Sequence, residues 1–148
     1  LPALPSAAPP GVSIREADTP ELWQLMVDVG TVAMSGHPWP KVEWILPYKS
    51  RERIRGYLAF DGGQPVGTSI GFSHGGVCGV FFVATKPEAR GKGIGTALTS
   101  RAALGGRPDG CEVSYLQSSK LGYPVYSKMG YRHVADYPQW YTPEPKSA

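Results

Sequence analysis

Val77-Cys78-Gly79-Val80-Phe81-Phe82-Val83-Ala84-Thr85-Lys86-Pro87-Glu88-Ala89-Arg90-Gly91-Lys92-Gly93-Ile94-Gly95 is the stretch around which the chain is organised. Its opening apolar run has the length of a buried strand, and Thr85-Lys86-Pro87 turns the chain out of it. Gly91, Gly93 and Gly95, at alternate positions, remove side chains just where a helical pattern begins. Bare backbone can approach an anion closely there, and the first turn of a helix leaves several N–H groups without intrahelical partners. Taken alone, the stretch reads equally as a glycine turn with a solvated arginine, because short glycine patterns are weak signals.

Downstream, Ile94, Ala97, Leu98, Ala102 and Leu104 describe one apolar helix face, which Gly105-Gly106-Arg107-Pro108 closes. Glu112 to Leu116 reads as the next strand, with Cys111 at its start. A helix between two strands requires a crossover, so this strand is expected parallel to 77–84 with a right-handed connection. Upstream, Tyr57 to Phe60, Asp61-Gly62-Gly63-Gln64 and Pro65 to Phe72 spell a hairpin. Ser73-His74-Gly75-Gly76 turns the chain again, so three antiparallel strands in sequence are expected, the third being 77–84. Gly79 inside that strand marks a bulge or a close approach by another group.

Val12 to Ala17 alternates as a half-exposed strand, and Asp18-Thr19-Pro20-Glu21 has the form of a helix start. Leu22, Leu25, Met26 and Val29 repeat at helical spacing, with Gly30 as the expected stop. An aromatic stretch around His37 and Trp39 follows, then a short helix expected from Val42, Trp44, Ile45 and Tyr48. Late in the chain, Ser118 or Ser119 suits a helix cap, Pro124 its first turn and Gly130 the residue after its end. Leu121, Val125 and Met129 would form the core-facing stripe, with Tyr126 at its edge. Tyr131 to Tyr137 and Gln139 to Thr142 read as two short strands.

The expected fold class is therefore α/β (α+β). A mixed sheet of about six to seven strands, antiparallel first and ending in a parallel pair, is flanked by about four helices. Residues 1–11 are read as a Pro/Ala-rich linker, 12–142 as the domain and 143–148 as a tail. The start at Leu1 rather than Met raises the expectation of a preceding domain.

With 15 Lys+Arg against 12 Asp+Glu and no dense basic stripe, the chain does not have the charge of a dedicated nucleic-acid binder. Its longest apolar run is too short to span a membrane, and no basic segment precedes an apolar core as in a secretory signal. Cys78 and Cys111 lie in strand-like runs without metal-ligand spacing. Buried free thiols in the cytoplasm are expected rather than a disulfide.

Val83-x-x-x-Pro87-x-x-Arg90-Gly91-x-Gly93-Ile94-Gly95 resembles the acyl-CoA signature of the GNAT N-acetyltransferases, Gln/Arg-x-x-Gly-x-Gly/Ala. Tyr126-Ser127-Lys128-Met129-Gly130-Tyr131 resembles that family's Tyr-x-x-x-Gly-Phe/Tyr block, after a fifth strand as expected. Two such motifs in order and correctly separated are far more specific than either.

The resemblance implies a GNAT-like fold and acetyl-CoA as cosubstrate. The pantetheine arm would enter where the strand ending at Val83 splays from its neighbour, pairing with backbone around Phe82, Val83 and Thr85. The pyrophosphate would sit on N–H groups of Gly91, Lys92, Gly93, Ile94, Gly95 and Thr96, with Arg90 and Lys92 adding positive charge. Tyr126 occupies the general-acid position, and an unperturbed tyrosine, with a pKa of about 10, carries its proton at neutral pH. Ser119 stands where the family often has an asparagine that holds the CoA arm, and Gly122 where it has alanine. The strand at 77–84 carries no carboxylate to deprotonate an ammonium, which leaves His74, His37 or a water chain as weaker substitutes. His37, Trp39 and His74 are the candidates for meeting an acceptor. The expected activity is acetyl transfer to a primary amine of a small molecule or protein, without nucleic acid or membrane partners. A silent CoA-binding module and a different acyl group are the alternatives, and homodimerisation through late strands is left open.

Overall fold

Small side chains decide how this sheet is covered. The computed structural model describes residues 4–5, 7–34, 43, 53–138 and 140. Five strands lie in sequence order: β1 (Val12–Glu16), β2 (Ile54–Asp61), β3 (Gln64–His74), β4 (Val77–Thr85) and β5 (Val113–Leu116). The first four pair antiparallel, and β5 runs parallel to β4 from Val77↔Val113 to Val80↔Leu116. The hairpins and the parallel pair thus follow the expected order.

Helix α1 (Pro20–Ala33) packs on one face of the sheet and α2 (Ile94–Leu104) on the other. Alternate residues of β2 show the division: Tyr57 and Ala59 join the core cluster of Ile94, Leu98 and Ala102, while Leu58 joins that of Trp23, Met26 and Val29. On β3, Gly67, Ser69 and Gly71 let α2 come close. A Cβ at Gly71 would fall 2.6 Å from the Ala102 carbonyl oxygen, and Ser69 Oγ donates to the Leu98 carbonyl at 2.9 Å.

α1 starts as expected, with Thr19 Oγ1 accepting from the Leu22 amide at 3.3 Å and Pro20 in the first turn. It does not stop at Gly30. The helix runs through to Ala33, which packs against Ala84, and Gly30 is itself buried. Burial of this last turn outweighs the weak helix preference of one glycine.

Three other expectations change. The Pro/Ala-rich start was expected to be unpacked, yet Leu4 is 7% exposed in the cluster of Ala89, Ile94 and Leu98. Tyr131 to Tyr137 forms no strand, so five strands replace the expected six to seven among the described residues. Val134 is 93% exposed and Tyr137 71%, so no apolar burial favours pairing there. Finally, the helix after β5, α3 (Tyr123–Lys128), begins late. Leu121 precedes it at 74% exposed, Val125 is also exposed, and only Met129 of the expected stripe packs on the core. The short helix expected at 42–48 and most of the strand expected at 139–142 lie outside the described residues.

Candidate active site

The middle of the candidate site carries an irregularity in β4. Its register with β3 is regular from His74↔Val77 to Ile70↔Phe81, and resumes at Thr68↔Ala84 and Gly67↔Thr85. Two residues, Phe82 and Val83, therefore stand opposite Ser69, which is a β-bulge. Phe82 has φ 51, the one positive φ outside glycine among the described residues. Such a conformation costs on the order of 1–3 kcal/mol and persists only where neighbours enforce it. Thr68 does so, its hydroxyl donating to the Phe82 carbonyl at 3.1 Å.

The bulge reverses which way β4 faces. Phe81 packs in the α1 cluster, whereas Val83 packs in the α2 cluster and Ala84 against Ala33. The ladder to β5 ends at Val80↔Leu116, so β4 runs on to Thr85 past the last parallel pair. Gly79 lies in regular pairing rather than at a bulge. A Cβ there would fall 2.5 Å from Phe81 Cε2 and 3.0 Å from Tyr115 Cζ, so the close approach is aromatic.

Beyond β4, a 3₁₀ turn (Pro87–Ala89) leads to the glycine loop. Gly91 and Gly93 take φ 79 and 82, a left-handed conformation that side chains with a Cβ resist. Gly93 is the N-cap of α2, and no side chain caps the helix. The first helical bond runs from the Ala97 amide to the Gly93 carbonyl at 3.1 Å. The Ile94, Gly95 and Thr96 amides thus precede the intrahelical pattern. Ile94 is 1% exposed, so its side chain serves the core and only its backbone could meet a ligand.

Both basic residues of the loop are tied to the chain. Arg90 Nε donates to the Thr85 carbonyl at 3.1 Å and Nη2 to the Ala33 carbonyl at 3.0 Å. One guanidinium therefore braces the end of β4 against the end of α1. Lys92 Nζ lies 2.7 Å from Oδ2 of Asp61, the last residue of β2. A Cβ at Gly93 would lie 3.7 Å from Pro9 Cγ, so the N-terminal segment also borders the loop.

Tyr126 is placed by the end of α3. Gly130, at φ 90, lets its amide bond the Ser127 carbonyl and the Tyr131 amide bond the Tyr126 carbonyl, at 3.1 and 3.0 Å. This is the Schellman motif. Tyr131 in turn bonds Ser114 Oγ of β5 at 2.8 Å. Burial pushes the Tyr126 phenol pKa up, a hydrogen bond with Thr99 of α2 works against that shift, and nearby Tyr131 adds to it.

The other expected residues lie apart. Ser119 Oγ accepts from the Gly122 amide at 3.2 Å and shapes the turn before α3. His74 bonds Arg53 at 3.2 Å, and its strand partner Val77 is about 17 Å of strand from Phe82 at ~3.3 Å per residue. His37 and Trp39 lie outside the described residues. Neither β4 nor β5 carries a carboxylate. Thr68, Thr99 and Asp61 bond the candidate residues Phe82, Gly95 and Lys92, and pattern reading passed over these ties. Their only signal was a polar side chain within an apolar strand or helix face, or the acid of a hairpin turn.

A family model described as an acetyltransferase (GNAT) domain matches residues 52–133. The chain belongs to the GNAT acetyltransferase family. A predicted acetyltransferase with acetyl-CoA from Clostridium acetobutylicum shares the fold with TM-score 0.72 at 18% identity, over 88% of this chain and 96% of that one. An aminoglycoside acetyltransferase from an uncultured soil metagenomic sample gives 0.72 at 16%, over 89% and 99%. Glucosamine-6-phosphate N-acetyltransferase from Arabidopsis thaliana gives 0.69 at 12%, over 88% and 97%. Acyl transfer is the chemistry of this GNAT domain, and these neighbours show that one fold is shared by proteins named for different acceptors. Among the described residues no His/Cys/Asp/Glu group could hold a metal ion, and no helix is long and apolar enough to cross a membrane.

Proposed function

We propose that this GNAT protein moves an acetyl group from acetyl-CoA to a primary amine. The observation that carries the reading is the run of β4 past β5, bulged at Phe82–Val83 and delivered directly to the uncapped start of α2. Backbone around Phe82, Val83 and Thr85 suits the amide groups of a pantetheine arm. The Gly91 to Thr96 amides suit a pyrophosphate, because a helix start favours negative charge and a Cβ at Gly91 would meet nothing within 4 Å. Arg90 contributes by holding that loop, with Nε and Nη2 on two carbonyls.

Acetyl-CoA supplies, when bound, a thioester whose carbon accepts the amine and whose sulfur leaves. A β4 amide beside the bulge is suited to the developing oxyanion. Tyr126 holds a proton at Oη for the departing sulfur, and burial keeps it protonated through neutral pH. With no carboxylate on β4 or β5, the amine is deprotonated from elsewhere or taken from its free-base fraction.

CoA release measured with acetyl-CoA and a panel of amines tests this. Turnover on at least one amine, falling on the order of 100-fold in Tyr126→Phe with acetyl-CoA affinity kept, is the expected result. Binding without turnover on any amine supports the silent CoA module instead. Gly93→Val should remove acetyl-CoA binding; retained affinity would contradict the loop assignment.

A further inference from the structure

A cavity of about 240 Å³ opens beside the last turn of α2, away from the glycine loop. Arg101 on its wall lies about 12 Å along the helix from the Gly93 cap, at ~1.5 Å per residue. Tyr57, 2% exposed, is its centre. The Arg101 guanidinium stands over the Tyr57 ring, 5.7 Å from the centroid. Glu16 is the β1 partner directly opposite Tyr57, and such cross-strand side chains share a face of the sheet. Gly105 closes α2 at φ −60, an angle open to any residue. A Cβ there would collide with Tyr57 Oη, so the missing side chain is what makes room for the phenol.

The charges around this hydroxyl are unequally used. Arg55 is committed to Asp109, Nη2 donating to Oδ1 at 2.9 Å and Nη1 to Oδ2. Arg101 and Glu16 form no ion pair among the described residues, with each other or elsewhere. The cavity thus presents one cation and one anion without partners, on either side of a hydroxyl that can donate or accept. Leu104 and Pro108 complete the wall with apolar surface.

We infer that this cavity is a binding site for a free α-amino acid: Arg101 takes the carboxylate, Glu16 the ammonium, and the Tyr57 hydroxyl bonds between them. A simple anion drawn to Arg101 would be repelled by Glu16, and a simple cation drawn to Glu16 would be repelled by Arg101. A zwitterion answers both, and each of its bonds is charge-assisted. The volume agrees, being below the ~300–1,000 Å³ of sites for drug-sized ligands. The walls share no residue with the β4 bulge, the glycine loop or Tyr126, so the site does not rest on the acyl-transfer reading.

Calorimetric titration of the full chain with each common L-amino acid, without acetyl-CoA, tests this. At least one should bind with a millimolar or lower Kd. Its N-acetyl and methyl-ester forms, each short of one charge, should bind about 10-fold more weakly or worse. Arg101→Gln and Glu16→Gln should each weaken binding by a similar factor, with Tm and acetyl-CoA affinity kept, because both side chains are exposed. Absence of binding by every amino acid overturns the inference. So does binding that both variants retain, which would place the ligand elsewhere. Loss in Arg101→Gln alone, with inorganic phosphate competing, would make this an anion site and overturn the zwitterion assignment. The two blocked analogues decide the matter even if a variant fails to fold, since equal binding of either removes the need for paired charges.

Discussion

Tyr131 is bound to Tyr126 twice over. Its amide donates to the Tyr126 carbonyl at 3.0 Å, and its ring meets the Tyr126 ring edge-on at an interplanar angle of 70°. The apolar contact that usually accompanies a Schellman helix end is thus made between the candidate acid and the last residue of its own motif. The Tyr-x-x-x-Gly-Tyr pattern then has a physical meaning: the glycine turns the chain so that the second tyrosine seats the first.

Gly130→Ala should uncouple that pair. A left-handed alanine costs about 1–2 kcal/mol, and relief by opening the helix end would release Tyr131 from Tyr126. Urea unfolding should show the loss, and kcat should fall more than acetyl-CoA affinity. Wild-type kcat in this variant would show that the seat does not matter to turnover.

Arg90→Lys should behave as a loss rather than a conservative change. A single ammonium cannot reproduce the fork from Nε and Nη2 to the Thr85 and Ala33 carbonyls. Stability is expected to drop by about 1.5–3 kcal/mol, the range for hydrogen bonds to charged groups. Calorimetric titration with acetyl-CoA should show weaker binding, because the loop loses its brace. If both stability and affinity stay at wild-type values, the brace is ornamental.

Leu4→Ala should destabilise the domain by about 2 kcal/mol, since a largely buried leucine leaves a cavity when cut back. A Leu4 that belonged only to a loose linker would show no change in the urea midpoint.

Alkali should weaken the fold in two stages. Burial, with help from Cys111, raises the Cys78 thiol from its ordinary 9.0 to about 11. Burial, with Glu16 adding, raises the Tyr57 phenol from 10.0 to about 12. Across these windows the unfolded chain loses protons that the folded chain keeps, so stability declines as pH rises. Below about pH 9 both contributions are fully present. The urea midpoint should fall from about pH 9 upward, and Cys78→Ala should flatten the first part and Tyr57→Phe the second. A midpoint constant to about pH 11 would contradict both shifts.

Pattern reading reached the hairpins, the parallel β4–β5 pair, α2 and the glycine loop because each is written in residues close together. Asp61-Gly62-Gly63-Gln64 needs only its own dihedral angles to turn, and Gly91 and Gly93 needed φ values that few other residues accept. Gly30 misled for the opposite reason: its helix is prolonged by Ala33 meeting Ala84, a contact that no local window contains. The stripe at Leu121, Val125 and Met129 misled likewise, since helical spacing says which residues share a face but not whether anything covers it.

The sequence by itself determined the order of elements, the two family motifs and the place of Tyr126 within its block, because propensity, turn chemistry and spacing act over a few residues. Tertiary structure decided the rest. It placed the bulge at Phe82–Val83 under Thr68 and turned Arg90 and Lys92 from free charges into ties. Each of these joins residues far apart in the chain. Their partners exist only once the sheet, α1 and α2 have packed, so no local pattern could carry them.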